Sequence, residues 1–177
     1  MGGFAESLAA TSLSKTIQGV DWIIPLLQSI HIITIGVVFV SSLMIALRVM
    51  GRMRADEAFA VVWNRFAPWM WSGLVVMLVT GVLLVVGEPV REFTAISFWM
   101  KMALLAVAVV ATVSLGRVFA SAARVETVVF RPGAKVFAGG ILVLWLAIIF
   151  LGRAIAYDVE VWGSLSSTPS PTHESSP

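Results

Sequence analysis

His31 and Lys101 are the residues of this chain whose type and setting could do chemistry, because each is an ionisable group inside a long apolar run. Ionisable groups in hydrocarbon are costly, rare and usually tied to function. A neutral imidazole is a good metal or cofactor ligand where low dielectric disfavours protonation, and a group bonded to its second nitrogen can orient it. Gln28, one helical turn before His31, is placed for that second role. Lys101 and Arg153, in the third and fourth apolar runs, are cations that could pair with carboxylates of a bound group. The alternative for His31 is structural: hydrogen bonding to Gln28 or to a carbonyl of a neighbouring helix. For Lys101 it is snorkelling to the interface as a solvated anchor.

The elements that position these residues follow from composition. Hydrophobic residues make up 59% of the 177 and charged ones 12%, with a mean hydropathy of +0.96, far from a soluble domain. The apolar residues form four runs, 22–49, 66–86, 96–120 and 136–157, each long enough for the roughly 20 residues that span a bilayer core. Their lack of period-2 alternation argues against a barrel. The expected fold is therefore all-α, an integral membrane four-helix bundle occupying residues 21–163. Residues 1–20 lack the basic and apolar segments of a cleavable leader and read as an N-terminal arm, either a short interfacial helix over 4–17 or disordered. Residues 164–177, SLSSTPSPTHESSP, read as a disordered tail in which His173 is solvated.

Basic residues set the orientation. Arg48, Arg52, Arg54 and Arg65 flank the first link, and Arg117, Arg124, Arg131 and Lys135 the third, which puts both links in the cytoplasm. Both termini are then expected outside, on the periplasmic side of a bacterial inner membrane, as a multi-pass protein. The net charge of +2 gives no reason to expect nucleic acid, and membrane lipids are the expected partners of the basic links. Trp22, Trp63, Trp69, Trp71 and Trp99 fall near span ends as interfacial anchors. Trp145 lies mid-span, either packing between helices or touching a flat cofactor. Gly73, Gly81, Gly139 and Gly140 are expected to allow close helix approach, and residues 56–65 to form a short interfacial helix.

Helical rise sets the depths. At about 1.5 Å per residue His31 lies roughly 13–15 Å below the outer end of its span, with Lys101 and Arg153 nearer that end. Gln28 and Ser42 share a face with His31, while Gly36 and Val37 lie opposite. The absence of cysteine excludes thiolate ligation, iron–sulfur clusters, covalently attached haem and disulfides. Non-covalent haem b, or copper held by nitrogen and thioether, remains. Met100 and Met102 flank Lys101 but diverge by about 200° on a helix. A thin four-helix bundle with a wedged ligand also favours a homo-oligomer. No hydrolase set, phosphate loop or paired intramembrane carboxylate is present, and Glu88, Arg91 and Glu92 read as a solvated hairpin.

The stretch 29–48 (SIHIITIGVVFVSSLMIALR), with Pro68-x-Met70 in the second run and Phe98-Trp99-x-Lys101 opening the third, resembles the HemJ-type protoporphyrinogen oxidases and CopD-type membrane proteins. It resembles more closely a group of uncharacterised bacterial four-helix membrane proteins with a W-x-x-P-x-x-[EQ]-x-x-H opening. Trp22, Pro25, Gln28 and His31 match that opening, and the resemblance covers about residues 22–120. It implies haem b bound at His31 with Lys101 contributing to binding and activity, and a redox role with a quinone or porphyrin-like partner. The third run departs from related sequences in lacking a second histidine, so a bis-histidine haem within one chain is not expected. Lys101, water, a methionine or nothing would take the sixth position. Copper handling, implied by the CopD-like resemblance, and a structural or accessory subunit without cofactor are the other function classes.

Overall fold

The computed structural model describes residues 2–120, 130–154 and 157. The tail 164–177 with His173, and Arg124 in the third link, lie outside the described residues. Among those described there are only helices: α1 (Gly2–Ala9), α2 (Ser12–Gln18), α3 (Ile23–Met50), α4 (Phe59–Gly87), α5 (Pro89–Thr94), α6 (Ile96–Ala120) and α7 (Pro132–Ala154). Four of them, α3, α4, α6 and α7, are long and apolar enough to cross a membrane, and the chain is an integral membrane four-helix bundle.

Local chemistry sets the helix ends. Gly51 stops α3 in the left-handed conformation (φ 71°), with its N–H on the Arg48 carbonyl at 3.1 Å and that of Arg52 on Leu47 at 3.0 Å. This double bond closes carbonyls the helix would leave open, and glycine takes the conformation without a Cβ clash. Pro132 opens α7 before the apolar run begins, where its missing N–H costs nothing. The segment 56–65 does not form a separate interfacial helix. Its residues from Phe59 onward continue into α4, since nothing between them and the apolar run breaks a helix, and Pro68 is accommodated inside it.

Packing places α3 between α4 and α7, with α6 against the far side of α7. The ring is closed by a narrow contact between α4 and α6. There Trp63 lies against Gly116 so closely that a Cβ on the glycine would fall 2.4 Å from the indole. At the other end α4 and α6 are separated by α5, whose six residues span about 9 Å. The α4–α6 side is thus a seam pinned at one end and spaced at the other.

The two ends of the bundle are built differently. At the link end the Arg48 guanidinium is buried, donates from Nε to the Glu57 carbonyl at 2.6 Å and lies 5.7 Å from the Phe130 ring. Glu57 takes Arg54 at 2.6 Å and Arg65 at 3.6 Å. At the cap end the arm forms two helices docked on the bundle. Gln18 donates to the Gly87 carbonyl at 2.7 Å, and Phe4 meets Phe93 of α5 edge-on at 5.7 Å.

The core runs between the ends through Val38, Ile45, Met70, Ala108, Ile141 and Trp145. Trp145 fills this core and its indole N–H has no hydrogen-bond partner. Of the glycines expected to permit close approach, Gly73 does so, a Cβ there lying 2.8 Å from Val38 Cγ2, and Gly81 lies beside His31. Gly139 and Gly140 meet nothing within 4 Å, because α7 turns them away from its neighbours. Gly73→Ala should therefore lower stability by about 1–3 kcal/mol through overpacking, while Gly140→Ala leaves it unchanged. Thermal unfolding of the two variants in detergent checks this.

Candidate functional site

The site is assembled where α3, α4, α6 and α7 each place one feature near the cap end. α3 supplies His31, which is buried although the residues beside it, Ile32 and Ile33, are exposed. α4 supplies Thr80, also buried, with Gly81 next to it. A Cβ on Gly81 would sit 3.5 Å from His31 Cε1, so the glycine leaves the edge of the ring clear. α6 supplies Lys101, and α7 supplies Gly152, where a Cβ would sit 3.6 Å from Lys101 Nζ. The lysine side chain crosses from its own helix to the backbone of α7 at Gly152.

Hydrogen bonding decides the state of the imidazole. His31 Nδ1 and Thr80 Oγ1 are 2.8 Å apart. Thr80 Oγ1 also lies 2.9 Å from the Val76 carbonyl and 3.2 Å from that of Met77, both acceptors within its own helix. A threonine hydroxyl has one proton, and a carbonyl can only accept. All three contacts are met when Thr80 donates to the backbone and accepts from His31, so the tautomer inferred from the network carries its proton on Nδ1. The Nε2 lone pair is then left for a ligand.

The other residues singled out in the sequence fall into place around this pair. Gln28 is half-buried and makes no hydrogen bond with His31; the ring is turned across to α4 instead, and Thr80 does the orienting. No periodicity within the first run could have found it, because the partner lies 49 residues away on another helix. Lys101 makes no ion pair or hydrogen bond among the described residues. Arg153 follows Gly152 and is exposed, its guanidinium 5.6 Å from the Tyr157 ring. Met100 and Met102 are both exposed rather than gathered at the lysine. Ser42 is buried on the His31 face, and Gly36 and Val37 are exposed on the opposite one.

Glu92 departs from the solvated hairpin expected at 88–92. Glu88 and Arg91 do pair at 2.6 Å near the surface, but Glu92 is buried between α1, α5 and the start of α6. Burial pushes its carboxyl above the usual carboxylate range, against the opposing pull of Arg91 and Lys101. The docking of α1 over α5 causes this burial, and the short, weakly patterned arm gave no sign of where it would dock.

Among the described residues, this level offers one imidazole nitrogen without a hydrogen bond, one ammonium without an ion pair and one guanidinium at the rim. Among the described residues no three His, Cys, Asp or Glu side chains come together to hold a metal ion. A lone imidazole holds a metal firmly only when the rest of the coordination sphere arrives with it, as it does in a porphyrin.

No curated protein and no solved structure matches the chain. A family of unknown function, DUF6644, matches it from residue 3 to residue 158, and the chain belongs to that family.

Proposed function

We propose that this is a haem b-binding integral membrane protein with a redox role, His31 serving as axial ligand through Nε2. The observation that carries the reading is the commitment of Nδ1 to Thr80, which leaves the other nitrogen free inside an apolar bundle. The residue set fits the group: one oriented imidazole, a clear ring edge at Gly81, and Lys101 and Arg153 as cations for the haem carboxylates. The resemblance of residues 22–120 to HemJ-type enzymes supports the same reading.

When bound, haem supplies one-electron chemistry. The chain's own residues bind and orient it. Thr80 fixes the ring plane and tautomer, the apolar walls of α3 and α4 exclude water, and Lys101 holds a positive charge beside the ligand site. His31 would hold the group through one imidazole, and Lys101 in its neutral form is the other side chain that would reach it. A quinone or porphyrin-like molecule in the bilayer is the redox partner we assign, and a homo-oligomer covers part of the seam. We further propose a bacterial inner membrane location with the cap end, and both termini, on the periplasmic face.

Absorption spectra and metal analysis of protein purified after haem-sufficient expression test the cofactor. A Soret band is expected and should vanish in His31→Ala. Thr80→Val removes the orienting acceptor, leaves Nδ1–H unpaired at a cost of about 1–3 kcal/mol, and should weaken haem binding roughly 10–100-fold, while Thr80→Ser retains it. Copper at about one equivalent without haem would instead support copper handling, and neither metal an accessory subunit.

Orientation is testable without background, because the chain has no cysteine. Ser12→Cys at the cap end should react with an impermeant maleimide added to whole spheroplasts. Arg52→Cys at the link end should react only after lysis.

A further inference from the structure

α6 and α7 share a groove on their outer side that haem anchoring does not use. Ala106, Val107, Val110, Ala111 and Ser114 of α6 and Phe137 of α7 line it, around a volume of about 430 Å³. The spacing of the α6 residues puts them on one face, and alanine or serine at three of the five positions hollows that face. On α7, Gly133 and Gly140 lie one turn to either side of Phe137, and a Cβ at either would meet nothing within 4 Å. Phe137 thus stands with bare backbone above and below it. Ser114 donates its hydroxyl proton to the Val110 carbonyl at 2.8 Å, so the lining has no free donor. Such a wall suits a hydrocarbon chain.

The groove runs toward the link end. By helical rise Ser114 lies about 9 Å from the last residue of α6, and Phe137 about 7–8 Å from the first of α7, so the two mark one level. Arg117 comes three residues after Ser114, about 4.5 Å further along the axis and on the groove's own face of α6. Arg131 immediately precedes α7. Both arginines are exposed, and neither forms an ion pair with a described residue. α6 and α7 contain no acid. The mouth of an apolar groove is therefore cationic, at the depth where a spanning helix meets lipid headgroups.

We propose that this groove holds an acyl chain of an anionic phospholipid whose phosphate sits at Arg117 and Arg131. The lining takes the chain, and the guanidiniums take the phosphate, which arginine can meet with two parallel N–H donors. Basic sites at the ends of transmembrane helices hold anionic headgroups in this way. A second copy of the chain is the other occupant that small residues would admit, and charge opposes it. Two copies related by an axis along the membrane normal bring like ends together, so the arginines of both would gather at the mouth without an acid from α6 or α7. A phosphate neutralises that cluster instead. The groove extends toward the opposite end of the bundle from His31, and the proposal does not rest on haem.

Native mass spectrometry of the full chain released from detergent tests this, with phosphatidylglycerol and phosphatidylcholine of identical acyl chains as probes. One phosphatidylglycerol per chain should be retained, roughly tenfold or more tightly than phosphatidylcholine. Arg117→Gln should weaken its retention by roughly fivefold, and Arg117→Lys, which keeps the charge, by much less. Ala106→Phe fills the groove from an exposed position and should lower retention of both lipids, Ala106→Leu doing so to a smaller degree. Val75→Phe, on the exposed face of α4, should change nothing, and His31→Ala should retain the lipid like the wild type. Inorganic phosphate at millimolar concentration should not displace the lipid, because it lacks the chain. Equal retention of the two lipids, or retention untouched by both Ala106 variants, overturns the proposal. A lipid-free dimer that Ala106→Phe splits overturns it as well and gives the groove to a second copy.

Discussion

The hydrogen bond between His31 and Thr80 is the constraint around which this bundle is arranged. An imidazole within hydrocarbon needs a partner for its N–H, and water cannot supply one there. The partner comes from α4, and a threonine suits the place because it can bond back to its own helix while still accepting from the ring. That requirement sets the register between α3 and α4. Once Thr80 faces His31, Gly73 falls against Val38 and Thr34, and Gly81 beside the ring. The small residues of α4 lie on the face that the hydrogen bond turns toward α3, so packing and polarity ask for the same rotation of the helix.

Much of this could be read from the chain before any coordinates. Four apolar runs define four spanning helices because no other backbone arrangement satisfies itself in lipid at that length. The placing of His31, Lys101 and Arg153 toward one end followed from helical rise alone. What escaped was pairing between helices. Gln28 was the obvious neighbour of His31 along its own helix, whereas the observed partner depends on which face α4 presents. That choice is made by Gly73 and Met70 packing, a property of two surfaces rather than one sequence window. Gly139 and Gly140 follow the same rule: small residues permit close approach but do not say from which side a neighbour comes, and on α7 none does.

The burial of Glu92 has a different origin. In isolation the segment 88–95 looks like an exposed connection, with Pro89 opening a short helix and Glu88 and Arg91 pairing across one turn. The arm alters it. α1 and α2 fold back over the cap end, held by Gln18 on the open Gly87 carbonyl and by aromatic contact at Phe93. A carboxylate on the α5 hairpin, expected to be solvated, is buried where the arm docks. The arm is short and nearly uncharged, yet it changes the electrostatics of the level beneath it.

The seam between α4 and α6 has a mechanical consequence. With Trp63 seated on Gly116 at the link end and α5 as the spacer at the other, the two helices resemble the arms of a pair of compasses. Any relative motion would be a swing about the indole, smallest where the aromatic ring is seated and largest near α5. The spacing of α4 and α6 at the cap end is then set by the length of α5 and by the packing of α1 upon it. Among the described residues α1 lies against α5 through Phe4 and Phe93, so the arm would be the stop that limits how far the compasses open.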